Sequence, residues 1–144
     1  MAEPLLLKGA PGSPYTRKML AYMRYRHIAY RLMIGDQGDQ EGRVLPQPKV
    51  SLLPTFYLPN SAGELEAVVD STPLIRRFES MFTGRETVPS APGLRLLHDL
   101  IEDYADEWLT KAMFHYRWHY ADDIEKAGLI LPLWRCLLYT SPSP

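Results

Sequence analysis

Cysteine is almost missing from this 144-residue chain. The one cysteine, Cys136, excludes an internal disulfide framework and fits a reducing compartment, so the expected address is cytoplasmic. Long apolar runs are also missing. No stretch approaches the ~18 apolar residues of a membrane span. The opening MAEPLLLKGAPG has no basic n-region, and its apolar run is too short for a signal peptide. Charge of one sign is lacking too, since 16 Lys and Arg stand against 17 Asp and Glu. Residues 1–90 carry 11 basic and 9 acidic side chains, and residues 91–144 carry 5 and 8. Such a weak field points to neither nucleic acid nor an anionic membrane as partner. What is present is ordinary for a globular protein: 46% hydrophobic and 23% charged residues. The length suffices for one domain with a real core, or for one small domain plus part of another.

Glycine and proline divide the chain. Leu5–Leu7, between Pro4 and Gly9, reads as a short buried strand. Tyr15, Met19, Tyr22, Met23 and Arg26 then fall at helical spacing, with Arg17, Lys18 and Arg24 facing elsewhere. HIAYRLMI (27–34) reads as a second strand, ending at Gly35. Strand, helix and strand make a βαβ unit with parallel strands and a right-handed crossover. Residues 35–51 are rich in Gly, Pro and polar side chains and read as loop. LLPTFYLP (52–59) and LEAVV (65–69) are joined by NSAGE, which predicts a hairpin. DSTPLIRRFESMF (70–82) opens with capping residues and a first-turn proline, and places Leu74, Ile75, Phe78, Met81 and Phe82 on one face. TGRETVPSAPG reads as a linker, and 84–92 is taken as the boundary. Beyond it, apolar residues at 94, 97, 101, 104 and 108 and a second stripe at 96 and 100 predict a long helix with two sides to bury. The fold class is α/β: β-α-β, loop, β-β-α, followed by the first helices of an all-α segment.

Three local features bear on chemistry. Ser13 stands before Pro14 where a first strand turns into a helix. Ser at the cap and Pro at the first helical position start many helices. The same place holds free N–H groups and the positive dipole end, which favour an anion such as a thiolate. Pro54 stands at the entry to a strand, an uncommon place for proline. Asp70-Ser71 opens a second helix after a strand. Each feature alone reads as capping or as a turn. His115 and His119, at i and i+4, have a metal-ligand spacing. Their aromatic setting, MFHYRWHY, favours packing or pocket lining, so no metal is expected. Glu102, Asp103, Asp106 and Glu107 read as a solvated helix face.

Together the three features resemble the serine-type glutathione transferases. Ser13-Pro14-Tyr15, with Lys18 five positions past the serine, resembles the active-site turn of that family. LLPTFYL resembles its cis-proline turn, and VVDSTPLIRRFE its acidic-Ser motif. The resemblance runs to about Trp134. It implies a thioredoxin-like domain (1–83), a linker (84–92), and the start of an all-α second domain (93–134). It further implies attack of the glutathione thiolate on a small electrophile. Ser13 would then hydrogen-bond the glutathione sulfur, with Tyr15 and Thr16 as alternative donors. Leu53, before Pro54, would pair its backbone with the cysteinyl unit. Asp70 and Ser71 would hold the γ-glutamyl group, the carboxylate on its ammonium and the serine on its carboxylate. Tyr15, Tyr104, Trp108 and His115 become candidates for the electrophile wall. Glutathione is the expected co-substrate, and family members are commonly homodimers.

Residue 70 is Asp where the family more usually has Glu, PNSAGE lengthens the hairpin, and PQPKVSLL matches loosely, so no contact is carried over to Lys49. These departures leave a second expectation, a non-catalytic binding or interaction module on the same fold. Thiol–disulfide exchange is disfavoured because the first helical turn has no cysteine. RCLLYTSPSP (135–144) breaks the helical pattern; its Ser/Pro end favours disorder, and it resembles a translated sequencing-adaptor read. The expectation is therefore that native sequence departs from this chain near Trp134.

Overall fold

The computed structural model describes residues 3–34 and 44–134. The expectations for the 35–43 loop and for the tail with Cys136 lie outside the described residues. Strand β1 is Leu5–Gly9, helix α1 Pro14–Arg26 and strand β2 Tyr30–Ile34. β3 is Thr55–Pro59, β4 Leu65–Val68 and α2 Ser71–Met81. The sheet order is β2-β1-β3-β4, with β1 parallel to β2 and antiparallel to β3, and β3 antiparallel to β4. This four-stranded mixed sheet with its helices is the thioredoxin-like layer expected from the sequence.

Two boundaries moved inward for visible reasons. The second strand begins at Tyr30 rather than His27, because His27 takes a left-handed φ of 55° and closes α1 with its N–H on the Arg24 and Met23 carbonyls. The third begins at Thr55 rather than Leu52, after the Leu53–Pro54 bond, which is cis.

β1 and β3 are the inner strands. Phe56 and Leu58 of β3 are fully buried, as is Leu7 of β1. α1 covers them with Met19, Leu20 and Met23, and α2 with Leu74 and Phe78. The Phe56 and Phe78 rings meet edge-on at 5.3 Å, and Phe78 lies near the rings of Tyr22 and Phe82. Met81, expected on this face, is exposed instead, since α2 ends there and the chain turns away at Phe82.

The end of α1 is fastened by charge. Arg26 is buried and donates to Glu79 of α2 and to the Phe82 carbonyl. Tyr22 donates to the same carboxylate at 2.8 Å, and the Thr87 hydroxyl does so at 3.0 Å. Burial pushes the Glu79 carboxyl up, but the hydrogen bonds from Tyr22, Thr87 and the Val88 amide, with the Arg26 charge, outweigh it and hold the group below its ordinary value. Burial and the neighbouring carboxylate push the Tyr22 phenol up.

The long helix expected after the linker is divided. α3 runs Pro92–Tyr104, a π-helical turn covers Ala105–Leu109, α4 runs Thr110–Trp118 and α5 Ala121–Ile130, with a 3₁₀ turn at Leu131–Trp134. The break before α5 falls at Tyr120, which is extended, and Asp122 and Asp123 occupy the first turn of α5, where carboxylates face the positive helix end. Leu94, Leu97, Ile101, Tyr104 and Trp108 are all exposed, as are Leu96 and Leu100. Neither stripe is covered among the described residues, although the Lys111 ammonium lies 4.0 Å from the centroid of the Trp108 ring.

Candidate active site

The β1–α1 turn is packed so tightly that β1 must end on glycine. A Cβ at Gly9 would stand 2.6 Å from Thr16 Cγ2 and 3.0 Å from Leu32 Cδ1. Thr16 is fully buried, and its Oγ1 accepts from the Ala10 amide at 3.3 Å, pinning the turn from beneath. Ser13 caps α1: its Oγ accepts from the Thr16 amide at 3.2 Å and lies 3.5 Å from the Leu53 carbonyl. A hydroxyl has one donor and two acceptor lone pairs. The cap occupies a lone pair, and the donor has only this long contact, so it is free to turn toward a better acceptor. The Tyr15 hydroxyl donates to the Asp106 carbonyl at 3.0 Å. Of the three hydroxyls left open by the sequence, Thr16 faces the interior, Tyr15 lines the cleft and reaches to the helical segment, and Ser13, itself buried, lines the same cleft.

Two further elements meet this turn. The cis Leu53–Pro54 bond leads into β3, with Thr55 Oγ1 donating to the Leu52 carbonyl at 2.7 Å. Asp70 caps α2 through Oδ1, which accepts from the Thr72 amide at 3.2 Å. Its φ of 80° is a conformation that a non-glycine residue adopts at a cost, of order 1–3 kcal/mol. Asp70 is exposed, whereas Ser71 beside it is buried at the first turn of α2.

Ser13, Leu53, Pro54, Asp70 and Ser71 line one cleft of about 630 Å³, together with Tyr15. That volume lies within the usual range for small-molecule pockets. Its far wall is the π-helical turn and α4: Asp106, Thr110, Met113, Phe114 and Arg117. The wall is tied to the sheet layer by ions. Lys18 donates to Glu102 at 2.8 Å and to Asp106 at 2.6 Å, and Thr72 donates to the same Glu102 oxygen at 2.8 Å. Burial alone would push the Lys18 ammonium down, but bonding to Asp106 and Glu102 holds it above its ordinary value. Burial likewise opposes the charge on Glu102, and Lys18 and Thr72 more than compensate, keeping its carboxyl low. The π-helical turn serves this junction: the Asp106 carbonyl accepts from both Thr110 Oγ1, at 2.7 Å, and Tyr15.

A family model described as Glutathione S-transferase, N-terminal domain, matches residues 7–86, more than half of the chain. The chain belongs to the glutathione S-transferase family. No curated protein sequence matches it. The matched stretch contains Ser13, Leu53, Pro54, Asp70 and Ser71, and it ends before α3 and the helical wall that begins at Asp106. A glutathione transferase domain implies glutathione binding. The residues present fit such a ligand in kind: a hydroxyl donor at one helix start, an exposed carboxylate and a buried serine at another, and a bent strand entry between them.

Three electrophile-wall expectations have a different placement. Tyr104 and Trp108 are exposed and do not line the cleft. Nor does His115, whose ring stacks on His119 at 4.5 Å and meets Tyr116 and Tyr120. Two positions along a helix turn about 200° around it. The stripe at 104 and 108 therefore points away when 106 and 110 face the cleft. The spacing 106, 110, 113, 117 was itself a readable helical face, but its mixed chemistry hid it among the apolar stripes. The acidic run also does more than meet solvent, since Glu102 and Asp106 turn inward to Lys18. Among the described residues, no group of three or more His, Cys, Asp or Glu comes together to hold a metal, and no helix is long and apolar enough to cross a membrane.

Proposed function

We propose that the protein is a glutathione transferase that activates the glutathione thiol for attack on a small electrophile. In this reading the Ser13 hydroxyl donates to the sulfur and, with the first turn of α1, favours its thiolate form. The Leu53 backbone holds the cysteinyl unit. The Asp70 carboxylate takes the γ-glutamyl ammonium, and the Ser71 hydroxyl with the α2 amides takes its carboxylate. Remote contacts fix the position of the sulfur, and the capped helix tunes it. The electrophile lies between Ser13 and the wall at Tyr15, Met113 and Phe114. A cytoplasmic address and a homodimeric state accompany the reading.

The observation that supports it is convergence. Residues from the connections that lead into α1, β3 and α2, namely 13, 53–54 and 70–71, line a single cleft. The second reading, a binding module without catalysis, draws support from Ser13 itself, whose hydroxyl already serves as an ordinary helix cap.

Retention on immobilised glutathione and conjugation of a chloronitroarene separate the two. Asp70→Ala and Ser71→Ala are expected to lose retention. Ser13→Ala is expected to keep it while turnover falls roughly 10²–10³-fold, the usual effect of removing one donor to a developing anion. Retention without turnover in the unaltered protein would establish the binding module, and absence of both would reject the glutathione reading.

A further inference from the structure

Arg117 is a cation built into the cleft that glutathione binding, as proposed above, does not use. It comes from α4, 105 positions away from the turn it touches: Nη2 donates to the Gly12 carbonyl at 3.0 Å, next to Ser13. The same nitrogen lies 3.4 Å from the Met113 sulfur, one turn back on α4. A guanidinium carries five N–H donors in a planar fork. The Gly12 and Met113 contacts occupy one end of that fork. No carboxylate of the described residues pairs with it at ion-pair distance. The side chain is half-buried, so a charge there is less screened than one on the surface.

The carboxylates that face the cleft stand elsewhere. Asp106 is neutralised by Lys18. Glu107, also on the wall, is ten positions before Arg117, about 15 Å along a helix. Asp70 stands at the start of α2. The helical wall thus carries its acids at 106 and 107 and its base at 117, beside Gly12. Between them lie Met113 and Phe114, which offer an apolar surface beside the cation.

We propose that Arg117 is a specificity residue that seats an anionic group, such as a carboxylate, carried on the electrophile, whose apolar body lies against Met113 and Phe114. This rests on the glutathione transferase reading for the identity of the reaction, but the anion seat itself is a property of α4. The forked guanidinium suits a carboxylate better than an ammonium would. Anchored on Gly12, it would hold the electrophile beside the position of the sulfur. For 4-chloro-3-nitrobenzoate, the sulfur forms a bond to the ring carbon, the carbon–chlorine bond breaks, chloride leaves with the electron pair, and the thiol proton passes to solvent.

The test compares 4-chloro-3-nitrobenzoate with its uncharged methyl ester, in the unaltered protein and in Arg117→Gln and Arg117→Lys. Equilibrium binding by calorimetry gives the ratio of the two dissociation constants, and kcat/KM gives the same ratio for turnover. The unaltered protein is expected to prefer the carboxylate, and Arg117→Gln to lower that preference roughly 10- to 100-fold, the scale of a charge-assisted hydrogen bond. Arg117→Lys, which keeps the charge, is expected to recover part of it. No preference in the unaltered protein, or the same ratio in Arg117→Gln, would overturn the proposal. Binding that follows Arg117, combined with no retention on immobilised glutathione, would uphold the anion seat and reject the glutathione reading.

Discussion

At the scale of single residues, the active-site turn depends on a hydrogen atom where any other residue has a side chain. Gly9→Ala would drive a methyl group to within 2.6 Å of Thr16 Cγ2, and Thr16 cannot retreat because it is fully buried and bonded to Ala10. The expected cost is about 1–3 kcal/mol, typical of overpacking, read as a lower midpoint in urea. Glutathione retention should weaken with it, since the displaced helix start carries Ser13. Thr16→Ser in the same chain deletes the offending methyl while keeping the hydroxyl, and should recover part of the loss. None of this was legible from GAPGSPYTRKML. The sequence showed that Ser13 could cap, but not that Thr16 lies beneath the turn and Tyr15 across it. Those are matters of side-chain direction, fixed by how deeply α1 settles on β1. Asp70 presents the same division. Its capping role could be read from the chain, but its positive φ could not.

Between elements, the junction of α1, α2 and the helical wall is electrostatic. Lys18→Met would leave Glu102 and Asp106 half-buried without their cation. The expected loss is about 1–2 kcal/mol, or a fall of roughly 3–8 °C in thermal midpoint for a chain of this size. The pH dependence follows from the directions of the shifts. The Glu102 carboxyl is held low, because Lys18 and Thr72 outweigh its burial. Its stabilising contribution is therefore present above the ordinary carboxylate range and lost as pH falls through the depressed value. The Lys18 ammonium is held high, so its contribution is complete at neutral pH and is lost only as pH rises through the raised value, in the strongly alkaline range. Thermal midpoints measured from pH 6 down to pH 3 should accordingly fall less steeply in Lys18→Met than in the unaltered protein. Glu79 stays low in both and supplies a common acid-sensitive background. Periodicity marked each helix in this junction, and the Ser13, Pro54 and Asp70-Ser71 signals marked the sheet-layer side of the cleft. The helical side escaped because Asp106, Thr110, Met113 and Arg117 share a regular helical spacing but mix acid, hydroxyl, thioether and base, so no hydrophobic stripe marks them. The apolar stripe runs through Tyr104 and Trp108 instead.

At the scale of the whole molecule, the described residues leave α3 with an exposed apolar face. Leu94, Leu96, Leu97, Leu100 and Ile101 of α3 are each more than half exposed, and no residue of α3, α4 or α5 is buried. Such a surface favours association. Light scattering should show mass rising with protein concentration, and Leu97→Lys with Ile101→Lys should reduce that rise while changing stability by no more than about 0.5 kcal/mol per site. By itself the sequence determined the order of elements and the family signature, because both are local. Hydrophobic periods and turn residues are written in short stretches of chain, and a cap or strand-entry proline needs only its neighbours. The tertiary structure alone decided that Thr16 lies beneath the turn while Ser13 and Tyr15 line the cleft, which acidic residues turn inward, and that Arg117 arrives beside Gly12. Those outcomes join residues 84 to 105 positions apart, and they depend on helix phase and packing depth, which no short stretch of sequence encodes.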